Sequence, residues 1–168
     1  MANKFTKEHW THVAGLLGRE PRGLRDIPVL NEDGMPAVIR VASVVEGKPF
    51  PTLHWLVDAD LCLQIDRLES KGWIARLQTQ IDGSPTLRKA MIFDHKRYRE
   101  LRRNYLSAEE SQYLSNNNMQ AALEERGIGG IAEPNRIRCL HTWYAAHLVR
   151  SNSVGSLVEE ILDKGEYL

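Results

Sequence analysis

The sequence predicts an α+β fold: a small antiparallel three-stranded sheet with a mostly helical remainder. Three observations carry that expectation. Residues 26–58 alternate β-branched runs with turn residues, the stretch 60–164 repeats apolar side chains at helical spacing, and 168 residues have the size of one domain spanning 1–168.

The elements follow in order. Trp10, Val13, Ala14 and Leu17 fall at i, i+3, i+4 and i+7, the stripe of an amphipathic N-terminal helix, with Thr6 placed to cap it and Gly18 to end it. A loop carrying Arg19 and Arg22 runs from Gly18 to Gly23. Ile27-Pro28-Val29-Leu30 then reads as a strand and Asn31-Glu32-Asp33-Gly34 as its turn, Val38 to Val45 as a second strand, and Leu53 to Val57 as a third. A period of two puts Leu53, Trp55 and Val57 on one strand face and His54, Leu56 and Asp58 on the other. The prolines belong at edges or strand starts, because proline cannot donate to a ladder.

After Asp58 the period becomes helical, with Asp58 or Asp60 as the candidate N-cap. Leu61, Ile65 and Leu68 lead to Gly72, and Trp73, Ile74, Leu77 and Ile81 to Asp82-Gly83. Ser84-Pro85 opens a long helix with the stripe Leu87, Met91, Tyr98, Leu101 and Tyr105, and Ser107–Glu110 has the spacing of a capping box. Helix is expected to resume over Met119 to Arg126, before the loop Gly127-Ile128-Gly129-Gly130. Pro134 is expected to start a helix with the stripe Ile137, Leu140, His141, Tyr144 and Leu148, and a last helix covers about 153–164.

Composition bounds the function. Lys plus Arg is 22 and Asp plus Glu is 22, so the formal net charge is +0, which excludes a bulk polyanion binder and leaves room for a focused anion site. Cys62 and Cys139 are too far apart for a disulfide framework or a zinc-finger pattern. The stretch Met1–His9 has no apolar core of a secretory signal, and no run reaches membrane-spanning length, so a cytoplasmic protein without membrane insertion is expected. Arg67–Ile74 imitates the end of a winged-helix recognition helix. A strand precedes it and a helical period follows, so nucleic acid is not an expected partner.

Several blocks occur in a characteristic order: Gly18-Arg19…Arg22-Gly23, Pro49–Leu56, Arg67–Trp73, Gly127–Gly130, Arg138-Cys139-Leu140-His141 and Asn152–Gly155. Over about residues 12–156 they resemble the bacterial family called domain of unknown function 501. Genes of that family lie, in many genomes, near those for septum-initiator proteins and exopolyphosphatases, which implies a link to cell division or polyphosphate metabolism. Many members carry Cys-Pro where this chain has Asp58-Ala59-Asp60, and some a Cys-rich turn at Asn31–Gly34, so a thiol or metal role of those positions does not carry over.

The candidate catalytic residues are His54, Cys139 and His141, and the candidate ligand-binding residues are Arg19, Arg22, Arg138, Asp58 and Glu69. Arg138 and His141 are the neighbours that turn a thiol into a nucleophile. On a helix, however, residues i and i+2 point about 200° apart, so Cys139 and His141 would not face each other. His147 lies at the wrong spacing to chelate a metal with His141. A mononuclear His54/Asp58/His141 site is conceivable, yet the spacing demands no metal and assigns no cofactor. Arg19 and Arg22, between glycines, suit a carboxylate or phosphate, and the Gly127–Gly130 loop could add a second contact; the bland alternative pairs the arginines with acids such as Glu69. Helix 85–106 carries seven basic residues against Asp94 and Glu100, a face for a polyanion or an acidic protein. The expectation is a binder of a phosphate- or carboxylate-bearing small molecule, with Arg19, Arg22, His54 and His141 around one pocket if it is an enzyme. The alternative is a non-enzymatic regulatory or scaffold module for a protein partner.

Overall fold

A computed structural model describes residues 5–168. Met1–Lys4, part of the stretch read for a secretory signal, lie outside the described residues. The first helix, α1 (Lys7–Leu17), is capped by Thr6, whose hydroxyl accepts the His9 N–H, and ends at Gly18 with φ 65°. The three-stranded antiparallel sheet has the order β1 (Leu24–Leu30), β2 (Pro36–Val41), β5 (His54–Leu56). Pro28 sits in edge strand β1 and Pro36 opens the central strand, as ladder bonding requires.

The run Val38–Val45 is not one strand. After Val41 the chain leaves the sheet and forms a separate hairpin, β3 (Val44–Val45) against β4 (Lys48–Pro49). Its turn residues Glu46 and Gly47 both have positive φ, 50° and 76°, the geometry that a two-residue hairpin favours.

Helices α2 (Ala59–Ser70), α3 (Trp73–Asp82), α4 (Pro85–Tyr105), α5 (Ala108–Asn116), α6 (Ala121–Glu124), α7 (Leu140–Val149) and α8 (Ser153–Asp163) complete the α+β fold. None of the described helices is long and apolar enough to cross a membrane. Ser84 caps α4 ahead of Pro85, and both arms of the Ser107–Glu110 capping box are present. The expected helix 119–126 shrinks to α6, and Gly127–Gly130 closes as a turn of 3₁₀ type with Gly129 at φ 77°.

The sheet is covered on both faces. On one, α1 contributes Val13 to a core with Ile27, Ile39, Val41 and Val57, bordered by Trp55. On the other, the larger core joins Leu53, Ile65, Leu68, Met91, Leu140, Trp143 and Val158. Leu53 thus leaves the Trp55–Val57 side, because the strand begins only at His54.

The helix expected from Pro134 begins six residues later, at Leu140. Side chains from distant helices take the backbone groups that a helix would have used. His95 Nε2 bonds the Pro134 carbonyl, Gln78 donates to the Asn135 carbonyl and accepts the Ile137 N–H, and Glu69 accepts the Leu140 N–H. Each bond replaces local helical pairing with a tertiary contact.

Candidate functional site

The late start of α7 builds the site. Cys139 is its N-cap, with φ −151° and ψ 123°, so the chain is extended there and the helical angle between Cys139 and His141 does not apply. Cys139 Sγ lies 3.7 Å from His141 Nδ1, which corrects the expectation that the two would point apart. Glu69 Oε1, from the last turn of α2, lies 3.3 Å from the same Nδ1 while it accepts the Leu140 N–H at 2.7 Å. Asp66, one turn earlier on α2, places Oδ1 3.2 Å from His141 Nε2. One imidazole therefore has a thiol and a carboxylate at one nitrogen and a second carboxylate at the other.

These neighbours push the His141 imidazole up to about 9: the hydrogen bond to Cys139 contributes most, and negative charge on Cys139, Glu69 and Asp66 adds to it against partial burial. Burial, aided by Asp66, Asp58 and Cys139, pushes the Cys62 thiol up to about 11, and Cys62 Sγ donates to the Leu56 carbonyl at 3.5 Å.

His141 also lines a cleft of about 300 Å³ whose other walls are Thr52, His54, Trp55, Leu56 and Thr142. The glycine loop closes in here. A Cβ on Gly129 would stand 3.2 Å from Thr142 Oγ1, and one on Gly130 3.6 Å from Thr52 Oγ1. His54 is only 2% exposed, and its Nδ1 has no hydrogen-bond partner among the described residues. Burial, then the charge of Arg40, presses its pKa down to about 4, so the ring is neutral at pH 7. Arg40 is the cross-strand partner of His54, and its buried Nε likewise has no partner among the described residues.

Arg19 and Arg22 line a different cavity, of about 370 Å³, with Leu17, Pro21, Val41 and Phe50; Trp55 borders both. The single pocket expected for Arg19, Arg22, His54 and His141 is therefore two. Arg22 is paired with Glu46 and lies 4.0 Å from Glu20, acids from its own neighbourhood and not Glu69, and Arg19 is exposed. Arg138 is exposed. Asp58 caps α2, accepting the Leu61 N–H at 2.9 Å and the Asn31 amide at 2.9 Å, which leaves its carboxylate engaged in the fold. His147 is buried against α8, where its Nδ1 accepts the Asn152 N–H.

A scan against family models finds Protein of unknown function (DUF501) over residues 27–160, most of the chain. The chain belongs to that family. Every block that carried the resemblance lies within the matched range except Gly18–Gly23, the arginine loop. Searches of curated proteins and of solved structures each returned no match.

Sequence reasoning names Glu69, Cys139 and His141 and misses Asp66 and Arg40. Asp66 stands at i, i+3 with Glu69, so helical spacing alone puts both carboxylates on one face of α2. Arg40 faces His54 only through the strand register, which no local pattern displays.

Proposed function

We propose that the protein binds a small molecule bearing a carboxylate or phosphate in the cleft between β5 and the start of α7, and that the Cys139–His141–Glu69 cluster at its edge is the reacting centre. The observation that carries this reading is that His54, a residue of the cleft wall, has a buried Nδ1 with no hydrogen-bond partner among the described residues. A buried polar group without a partner costs about 1–3 kcal/mol, and a ligand that bonds it recovers that cost. As the Nδ1–H tautomer the neutral ring donates to an anionic oxygen, and the Arg40 charge beside it favours an anion there. Arg19 and Arg22 do not serve this site.

The test is a titration of the ¹⁵N-labelled protein with small phosphates and carboxylates. Perturbed amides should cluster at residues 52–56 and 140–142, and a His54→Phe variant should lose the effect while keeping its fold. Shifts confined to residues 19–23, or none with any compound, would contradict the proposal. A second reading, a non-enzymatic module for an acidic protein partner, is favoured by Ile92 and Phe93, 47% and 58% exposed between Lys89 and Lys96 on α4. It is the reading to keep if the cleft binds nothing.

A further inference from the structure

We propose that Glu69, Cys139 and His141 form a binding site for one divalent transition-metal ion of the zinc class, with Glu69 Oε1, Cys139 Sγ and His141 Nδ1 as ligands. The three donor atoms lie within 4.8 Å of one another. Two of the three separations match those on one tetrahedral ion. Bonds of about 2.3 Å to sulfur and about 2.1 Å to nitrogen or oxygen, at tetrahedral angles, hold S and N about 3.6 Å apart and N and O about 3.4 Å apart. The observed separations are 3.7 Å and 3.3 Å.

The surrounding groups hold these donors in place. Asp66 stands at His141 Nε2, where the ring's other N–H can donate to it, the partner that a metal-bound histidine ordinarily has. The Leu140 N–H holds Glu69 Oε1, and Thr142 Oγ1 donates to the Cys139 carbonyl at 3.0 Å. One sulfur, one nitrogen and one oxygen suit a borderline-soft ion, whereas Ca²⁺ and Mg²⁺ take oxygen donors throughout. Binding releases the proton of Sγ and any proton on Nδ1, so the donors meet the metal as thiolate and neutral imidazole. Three protein ligands leave a fourth position open, and one of the three, His141, also lines the cleft. What the fourth position would do for a bound carboxylate or phosphate rests on the function proposed above. The metal site itself rests only on its donors.

The test uses the full chain, stripped of metal by a chelator and titrated with Co²⁺ by absorption and with Zn²⁺ by calorimetry. One ion per chain is expected, with a thiolate-to-cobalt charge-transfer band that Zn²⁺ abolishes. Cys62→Ser should keep the band and Cys139→Ser should lose it. Asp66→Asn should weaken Zn²⁺ binding 10–100-fold without removing the band. No band in the wild type, or a band lost with Cys62→Ser, overturns the proposal, and either result is decisive even if Cys139→Ser does not fold. Metal binding without amide shifts from carboxylates or phosphates overturns the function above and leaves the metal site intact. Amide shifts at the cleft in a protein that binds no metal do the reverse.

Discussion

Arg102 is 1% exposed, although it belongs to the run of basic residues that reads as a face for a polyanion or an acidic protein. Its guanidinium donates to the carbonyls of Pro51, Leu123 and Arg126, tying the entry to β5 and the segment before the glycine loop to α4. Burial lowers its pKa to about 10, so it stays charged at pH 7. Arg102→Met should destabilise the protein by about 3 kcal/mol, because one buried and two part-buried carbonyls lose their charged donor; urea unfolding measures it. Asp94, in turn, is buried by accepting the Ser153 N–H and hydroxyl and by pairing with Arg97 at 2.8 Å. The basic face of α4 is therefore smaller than its composition, with Lys89, Lys96 and Arg103 left exposed. Charge counts along a helix do not separate a solvated arginine from one that ties two distant segments to it.

At the scale of elements, what depends on neighbouring residues is legible in the sequence, and what depends on distant ones is not. Thr6, Ser84 and Ser107 are seen as caps because an N-cap bonds within its own first turn. The start of α7 escapes a local reading because Gln78, His95 and Glu69, at least 39 residues away, hold the backbone of 134–140. The site is hidden for the same reason, since a helical Cys139 would face away from His141. Two glycines show how tightly these elements meet. Gly155 lies inside α8, where alanine is ordinarily better by about 1 kcal/mol. A Cβ there would stand 2.2 Å from the Cβ of His147, so Gly155→Ala should instead cost about 1–3 kcal/mol in thermal or urea unfolding. Gly127→Ala should do the same, with its Cβ 2.1 Å from His95 Nδ1.

At the scale of the whole molecule, two of the buried histidines weaken the fold in acid. His54 and His95 are both held down to about 4, each first by burial, and His95 also uses Nδ1 to accept the Ile128 N–H. The unfolded chain takes up protons near 6.5 and the folded one only near 4. Stability from this source is thus complete above about pH 6.5 and is lost as the pH falls from there toward 4. Each group contributes on the order of 3 kcal/mol over that window. Urea midpoints should fall steeply between about pH 6.5 and 4, and His95→Gln should flatten the fall. The formal neutrality of the chain conceals this local organisation: Arg40 beside His54, Asp66 and Glu69 around His141, and Arg102 inside.

Alkylation of the two thiols, followed by mass spectrometry at pH 7, tests the claim that Cys139, His141 and Glu69 act as one centre. Cys139 should react with iodoacetamide well before Cys62, whose thiol is pushed up to about 11, and stoichiometric Zn²⁺ should protect Cys139 alone. Equal rates at both cysteines, unchanged by zinc, would contradict the account.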